Sequence, residues 1–323
     1  MIRMSLRQFR IQGLVGAILL ALAAGYLFRL GADIRAARDT SQLPSQYGQT
    51  MLILAAGLGL VPALVGAFWG APLVARELEA GTHRLVWNQS VTRRRWLAVK
   101  LMVLGLASVA VAGTLSALLT WAAGPVDQVA GDRFSAILFG ARGVAPTGYA
   151  AFGFVFGAVT GLLVRRTLPA MALVFLAVIA VQFAVPNLLR PHYMPAERAT
   201  VPMSADAINQ ARALGSITGG PVIGGVEVPN SWITDTSRLL TSDGRQLSDT
   251  AFNRCLDDAP KTGATGRFGD TAVCLGELDL HVNIAYQPNQ RFWPFQWIEL
   301  AIYLGFCALL AAVGLWRIQR RVT

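Results

Sequence analysis

Six stretches of this chain are each long and apolar enough to fill the hydrocarbon core of a bilayer, and no other feature limits its folding so severely. They run from Ile11 to Leu30, Met51 to Ala75, Leu97 to Ala123, Thr147 to Val164, Leu168 to Val185 and Trp293 to Trp316. A helix rising 1.5 Å per residue needs about 20 residues to cross. In hydrocarbon every backbone N–H and C=O must be paired inside the segment, so each stretch is expected as a helix and the chain as an all-α polytopic membrane protein. Composition agrees, because 54% of the 323 residues are hydrophobic and 14% charged. That balance excludes a disordered chain and is too oily for a soluble enzyme of this length. No Gly-x-y period, heptad seam or internal repeat occurs.

Arg3, Arg7 and Arg10 before the first segment, with Ala21-Leu22-Ala23 inside it, imitate a secretory leader. The segment is nevertheless expected to remain as the first span. Arg165-Arg166-Thr167 leaves room only for a tight turn between the fourth and fifth spans, which are therefore antiparallel neighbours. An even number of spans puts both termini on one side. With the N-terminus inside, the inner segments carry fourteen basic residues against two acidic ones, Glu77 and Glu79. The outer segments carry fourteen basic and fifteen acidic residues, and Glu299 lies within the last span. Basic residues in short loops stay on the cytoplasmic side, so both termini are expected there, in a bacterial plasma membrane. The net charge of +10 is thus an orientation signal, and nucleic acid is not expected as a partner.

Three regions follow: residues 1–185 with five spans and a cytoplasmic loop over 76–96, an extracytoplasmic domain over 186–292, and residues 293–323 with the sixth span and a basic tail. The outer domain is rich in Gly, Pro, Asp, Thr and Ser. Leu278, Leu280, Val282 and Ile284 alternate with Asp279, His281 and Asn283, the period of a half-buried strand. Val222 to Val228 is a second strand candidate and Ala205 to Leu214 a short helix, so a small α+β domain is expected. Cys255 and Cys274 both fall in it. On an oxidising side they are expected to be bridged, two buried free thiols being the alternative.

Several activities are unsupported. No Gly-x-x-x-x-Gly-Lys-Ser/Thr loop occurs, and Lys100 and Lys261 are the only lysines. His83, His192 and His281 are scattered, with no His-Glu-x-x-His or Cys-x-x-Cys spacing, so no metal site is expected. There is no Gly-x-Ser-x-Gly elbow for a hydrolase. Carboxylates are nearly absent from the spans, which argues against a proton relay or an ion-coupled transporter. No catalytic residue and no cofactor is expected in this chain.

The informative loop is Arg76 to Lys100. The second span is expected to continue through Glu77 and Glu79 and to stop at Gly81, a left-handed C′ position. Thr82 then caps a short helix, His83 to Gln89, and Thr92 caps the third span. Leu85, Val86 and Trp87 beside His83, Arg84 and Asn88 give that short helix one apolar side, suited to a groove on another protein.

The Glu-x-x-x-Gly-Thr-x-x-Leu run of Glu77, Gly81, Thr82 and Leu85, followed by Ser90-Val91-Thr92-Arg93 and Lys100, resembles the ABC-2 family of transporter permeases. The Tyr286 to Gln296 run before the last span is similar to the actinobacterial branch. The resemblance implies a type V, ABCG-like export fold in which two permeases, copies or paralogues, pair with two ABC ATPase subunits that hold ATP and Mg. Glu77, Gly81, Thr82, His83, Arg84, Leu85 and Trp87 then become the partner-coupling residues. The outer insertion is much larger than the family's usual short re-entrant helices. A reading of another class stays open: a non-transporting sensor or scaffold with a ligand-binding outer domain.

Other residues carry two readings each. Arg93-Arg94-Arg95 reads as an anchor for anionic lipid at the cytoplasmic face before it reads as a protein contact. Trp87, Trp96, Phe292, Trp293 and Trp297 read as interfacial anchors. Gly153, Gly157 and Gly161 form a small-residue stripe for close helix approach, within one subunit before between two. Pro62 and Pro72 kink the second span or shape a cavity wall. Glu299 lies roughly 9 Å deep at 1.5 Å per residue, where an unpaired carboxylate is costly. It is either a buried structural acid or a substrate or gating contact.

Overall fold

A computed structural model describes residues 10–81, 92–130, 133–217, 219–226 and 228–320. Among them, six helices are long and apolar enough to cross a membrane. In chain order the helical unit contains α1 (Arg10–Ala36), α2 (Leu43–Glu79), α3 (Arg93–Ala130), a short α4 (Ala136–Ala141), α5 (Ala145–Val164) and α6 (Thr167–His192). It closes with a last helix, Phe292–Arg320. A second compact unit, Met194–Arg291, is inserted before that helix.

The helices outrun the apolar stretches that announce them, because hydropathy stops at the first charge while backbone pairing does not. Thr92 Oγ1 accepts from Arg95 N at 3.3 Å, so α3 begins at its three arginines, ahead of the apolar run. Gly81, at φ 70°, ends the segment after α2 in the left-handed region. The boundary read at Pro186 falls inside a helix. There α6 widens into a π turn, Val185–Leu189, and tightens into a 3-10 turn, Arg190–His192, before the chain leaves at Met194. A proline at the head of a π turn loses a donor where the spacing is already relaxed.

Buried along 67% of its apolar window, against 39% or less for the other spans, α5 is the axis of the bundle. It packs on α2, α3, α6 and the last helix. The contact with α2 is backbone against backbone. Between Pro62 and Pro72, α2 passes through a π segment, Gly66–Gly70, and the stripe on α5 lies against it. A Cβ on Gly153 would stand 2.3 Å from Pro62 O, one on Gly157 2.2 Å from Gly66 O and one on Gly161 2.4 Å from Ala71 O. The glycines therefore serve packing within one chain. Prolines and π turn disturb the α2 ladder, and Gln182 Nε2 of α6 donates to Gly59 O at 2.9 Å, supplying a partner at the break.

Trp96 departs from its reading as an interfacial anchor. It is 3% exposed, in the core formed by Val74, Leu97, Phe154 and Ile318, and Lys100 Nζ lies 4.3 Å from its ring centroid. Phe292 is likewise buried, against Phe134 and Phe139, whereas Trp293 and Trp297 are exposed. Trp87 lies outside the described residues.

The inserted unit holds strands β1 (Glu197–Pro202), β2 (Ala213–Ile217), β3 (Gly220–Gly224), β4 (Ser231–Thr236) and β5 (His281–Pro288) and helices α7 (Ala205–Gln210), α8 (Asp249–Asp257) and α9 (Gly269–Gly276). The last membrane helix is hence α10. One antiparallel sheet has the order β1-β5-β4 and the other pairs β2 with β3. The alternating run supplies the core side of β5, with Leu280, Val282 and Ile284 buried, but the strand starts at His281 and leaves Leu278 exposed. Cys255 on α8 and Cys274 on α9 are joined by a disulfide.

Gly157→Ala should cost about 1–3 kcal/mol through overpacking, read as earlier thermal unfolding of the detergent-solubilised protein. Gly25→Ala, with open space around its Cβ, should leave the midpoint in place. Non-reduced peptide mapping should recover the Cys255–Cys274 pair, and replacing both with Ser should destabilise the inserted unit by about 3 kcal/mol.

Candidate functional site

Two places in the helical unit concentrate polar groups that hydrocarbon would penalise. The first is the end of α2 just before the expected coupling segment. Glu77 Oε1 accepts from Lys100 Nζ of α3, and Lys100 and Glu77 are 4% and 14% exposed. Two residues on, Glu79 Oε2 accepts from Thr167 N at 3.0 Å and Thr167 Oγ1 at 2.6 Å, meeting the open N–H groups at the start of α6. The only two acidic residues of this basic end are thus both committed to neighbouring helices. Lys100 is thus a partner of Glu77, reached from the next helix. The missed signal was a lysine, one of only two in the chain, set into an otherwise apolar run.

Gly81 closes this clamp. Thr82, His83, Arg84, Leu85 and Trp87, the rest of the expected coupling segment, lie outside the described residues.

The second place surrounds Glu299, which is fully buried on α10. Arg190, 1% exposed at the end of α6, donates from Nε to Oε2 and from Nη2 to Oε1, each at 2.9 Å. The Tyr149 hydroxyl of α5 donates to Oε1. The Arg190 guanidinium also lies 3.9 Å from the centroid of the Phe139 ring. Both carboxylate oxygens are filled, and a planar fork against a carboxylate suits such a dry site. Close by, burial pushes the Tyr193 phenol above its ordinary range, with the Glu299 charge as the next cause, so it stays neutral. Gln296, one turn before Glu299, is buried as well and accepts from Ala145 N at 2.8 Å while donating to Phe139 O at 3.1 Å. These bonds fix α10 to α4, α5 and α6.

Arg190 went unnoticed in the sequence because it follows Pro186 and Asn187, which look like the start of a soluble segment. A carboxylate deep in the sixth apolar run was itself the clue that a cation had to lie nearby.

A cavity of about 320 Å³ adjoins the pair. Its walls are mainly apolar, from Ala55 and Leu60 of α2, Ile137 of α4 and Ile179 and Phe183 of α6, with Gln182, Asn187, Arg190 and Glu299 supplying polarity. Both interrupted helices, α2 at Leu60 and α6 at Pro186, contribute their irregular turns to it. Among the described residues no group of three His, Cys, Asp or Glu could hold a metal.

A family model described as ABC-2 membrane transporter related matches residues 27–190, just over half of the chain. The matched stretch contains the Glu77–Lys100 and Glu79–Thr167 contacts and ends on Arg190, leaving the inserted unit and α10 outside it. No curated protein and no solved structure matches the chain.

Removing one member of a buried ion pair strands the other, so Glu299→Gln and Arg190→Gln should each destabilise the protein by about 3–5 kcal/mol. The double variant should lose less than the two single losses combined, a coupling that thermal unfolding of all four proteins measures.

Proposed function

The chain belongs to the ABC-2 membrane transporter related family, and from that premise we propose that it is the transmembrane permease subunit of an ATP-driven exporter. ATP and Mg bind in a separate ABC ATPase partner, and a second permease copy or paralogue completes the membrane part. The observation that carries this reading is the family match across α1 to α6. The asymmetry of basic residues supports a bacterial plasma membrane with both termini cytoplasmic and the inserted α+β unit outside.

The mechanism follows from the clamp. Residues 82–91 join α2 to α3, and the ends of both helices are tied by Glu77 to Lys100 while Glu79 holds the start of α6. A push on this loop from a closing ATPase is therefore delivered to three helices together. Two of them, α2 and α6, wall the apolar cavity and are irregular where they do so. Rigid ends and a soft middle convert a displacement at one face into a change of shape near Arg190 and Glu299. Apolar walls with a few polar groups suit a hydrophobic or amphipathic cargo.

Purification of the chain from its native membrane should bring an ATPase in equal amount, and a sensor or scaffold should not. Leu85→Asp with Trp87→Ala should lose that partner. Lys100→Met should keep the partner and its hydrolysis but lower transport into vesicles several-fold, because it deprives Glu77 of this cation and loosens α2 from α3. An equimolar, substrate-stimulated complex carrying the Leu85 and Trp87 changes would move the contact to another segment.

A further inference from the structure

A second cavity, of about 370 Å³, lies at the basic end between the first turn of α3 and the last third of α10. Its floor is one face of α10, where Ala308, Ala311, Ala312, Leu315 and Gln319 recur at helical spacing. Small side chains there leave a furrow roughly 17 Å long, at 1.5 Å per residue. Arg94 closes its polar end, beside Trp316 and Gln319. Ala308 and Ala312 are exposed, and Arg94 is exposed with no carboxylate partner among the described residues.

We infer that this furrow holds one anionic glycerophospholipid from the leaflet at the basic end. Charge makes the argument first. Arg94 lines this end, flanked in sequence by Arg93 and Arg95, and Arg317 follows Trp316; the acids nearest to Arg94 in the sequence, Glu77 and Glu79, are engaged by Lys100 and Thr167. Among the described residues no carboxylate pairs with Arg94. A guanidinium presents a planar pair of donors that fits a phosphate diester, and Gln319 adds a neutral donor. Trp316, half exposed at the same level, suits the boundary between headgroup and acyl chain.

The furrow distinguishes a lipid from a free anion. An inorganic phosphate would use Arg94 alone and leave the alanine face bare. An acyl chain lying along Ala312 and Ala308 fills it and runs back along α10, away from the basic end. This inference requires only that the chain spans a membrane, so it stands or falls apart from the transport reading.

Native mass spectrometry of the full chain, with any partner that purifies alongside it, would be run during titration with phosphatidylglycerol and separately with phosphatidylcholine. One phosphatidylglycerol per chain should be retained preferentially. Arg94→Gln should weaken that retention about tenfold, the loss expected for a charge-assisted contact. Ala312→Phe should do the same by filling the furrow while Arg94 stays in place. Arg198→Gln, an exposed arginine of the inserted unit, should change nothing. Equal retention of the two lipids overturns the inference, as does unchanged retention in Arg94→Gln. A change in copies per particle on Ala312→Phe with lipid retention unaltered would assign the furrow to a second copy of the chain and also overturn it.

Discussion

Helices in hydrocarbon gain little by hiding apolar surface from one another, because lipid tails are as apolar as leucine. The bundle must therefore be held by close packing and by a few polar bonds made where water cannot compete. This chain uses both. The α5 glycines let backbone meet backbone along α2, and carboxylate contacts fasten the ends, Glu77 and Glu79 at one and Glu299 and Asp127 at the other. Everything between those fixed ends is mostly aliphatic and small, which is where the cavity opens.

That division explains what the sequence discloses. Spans are legible because the cost of exposing polar groups to lipid is paid residue by residue, so all six stand out as local runs. The placement of Glu299 at a costly depth was legible for the same reason. Its partner was not, since Arg190 lies 109 positions away and sits beside residues that resemble a loop. Lys100 and Glu77 show the same limit, 23 positions apart on two different helices. Pairing is a property of two helices, and hydropathy describes one. Trp96 makes the point from the other side, because a tryptophan next to three arginines reads as an interface anchor until a lysine is found covering it.

The inserted unit was legible in kind more than in outline. Alternation at Leu280, Val282 and Ile284 identified the central strand, yet its partners β1 and β4 have no strong alternation of burial. Their positions are set by register against β5. Val222 to Val228 was read as one strand, and the structure keeps only its first part in β3, where Gly224 ends the pairing with Ala213. Glycine weakens a strand from within, and here it sets the strand's length.

The Arg190–Glu299 pair has a consequence for the chain's history. It joins the helix from which the inserted unit departs to the helix by which the chain returns, so the two ends of an excursion of almost a hundred residues are held together by contacts that the excursion does not make. Closing a loop costs entropy that grows only slowly with its length once the ends are fixed. An insertion flanked by such a fastening can lengthen, shrink or be exchanged for another domain while the bundle keeps its register. The matched family segment stops at Arg190, on the near side of that fastening. The helices on either side of the insertion are thus fastened to each other by residues that lie outside it.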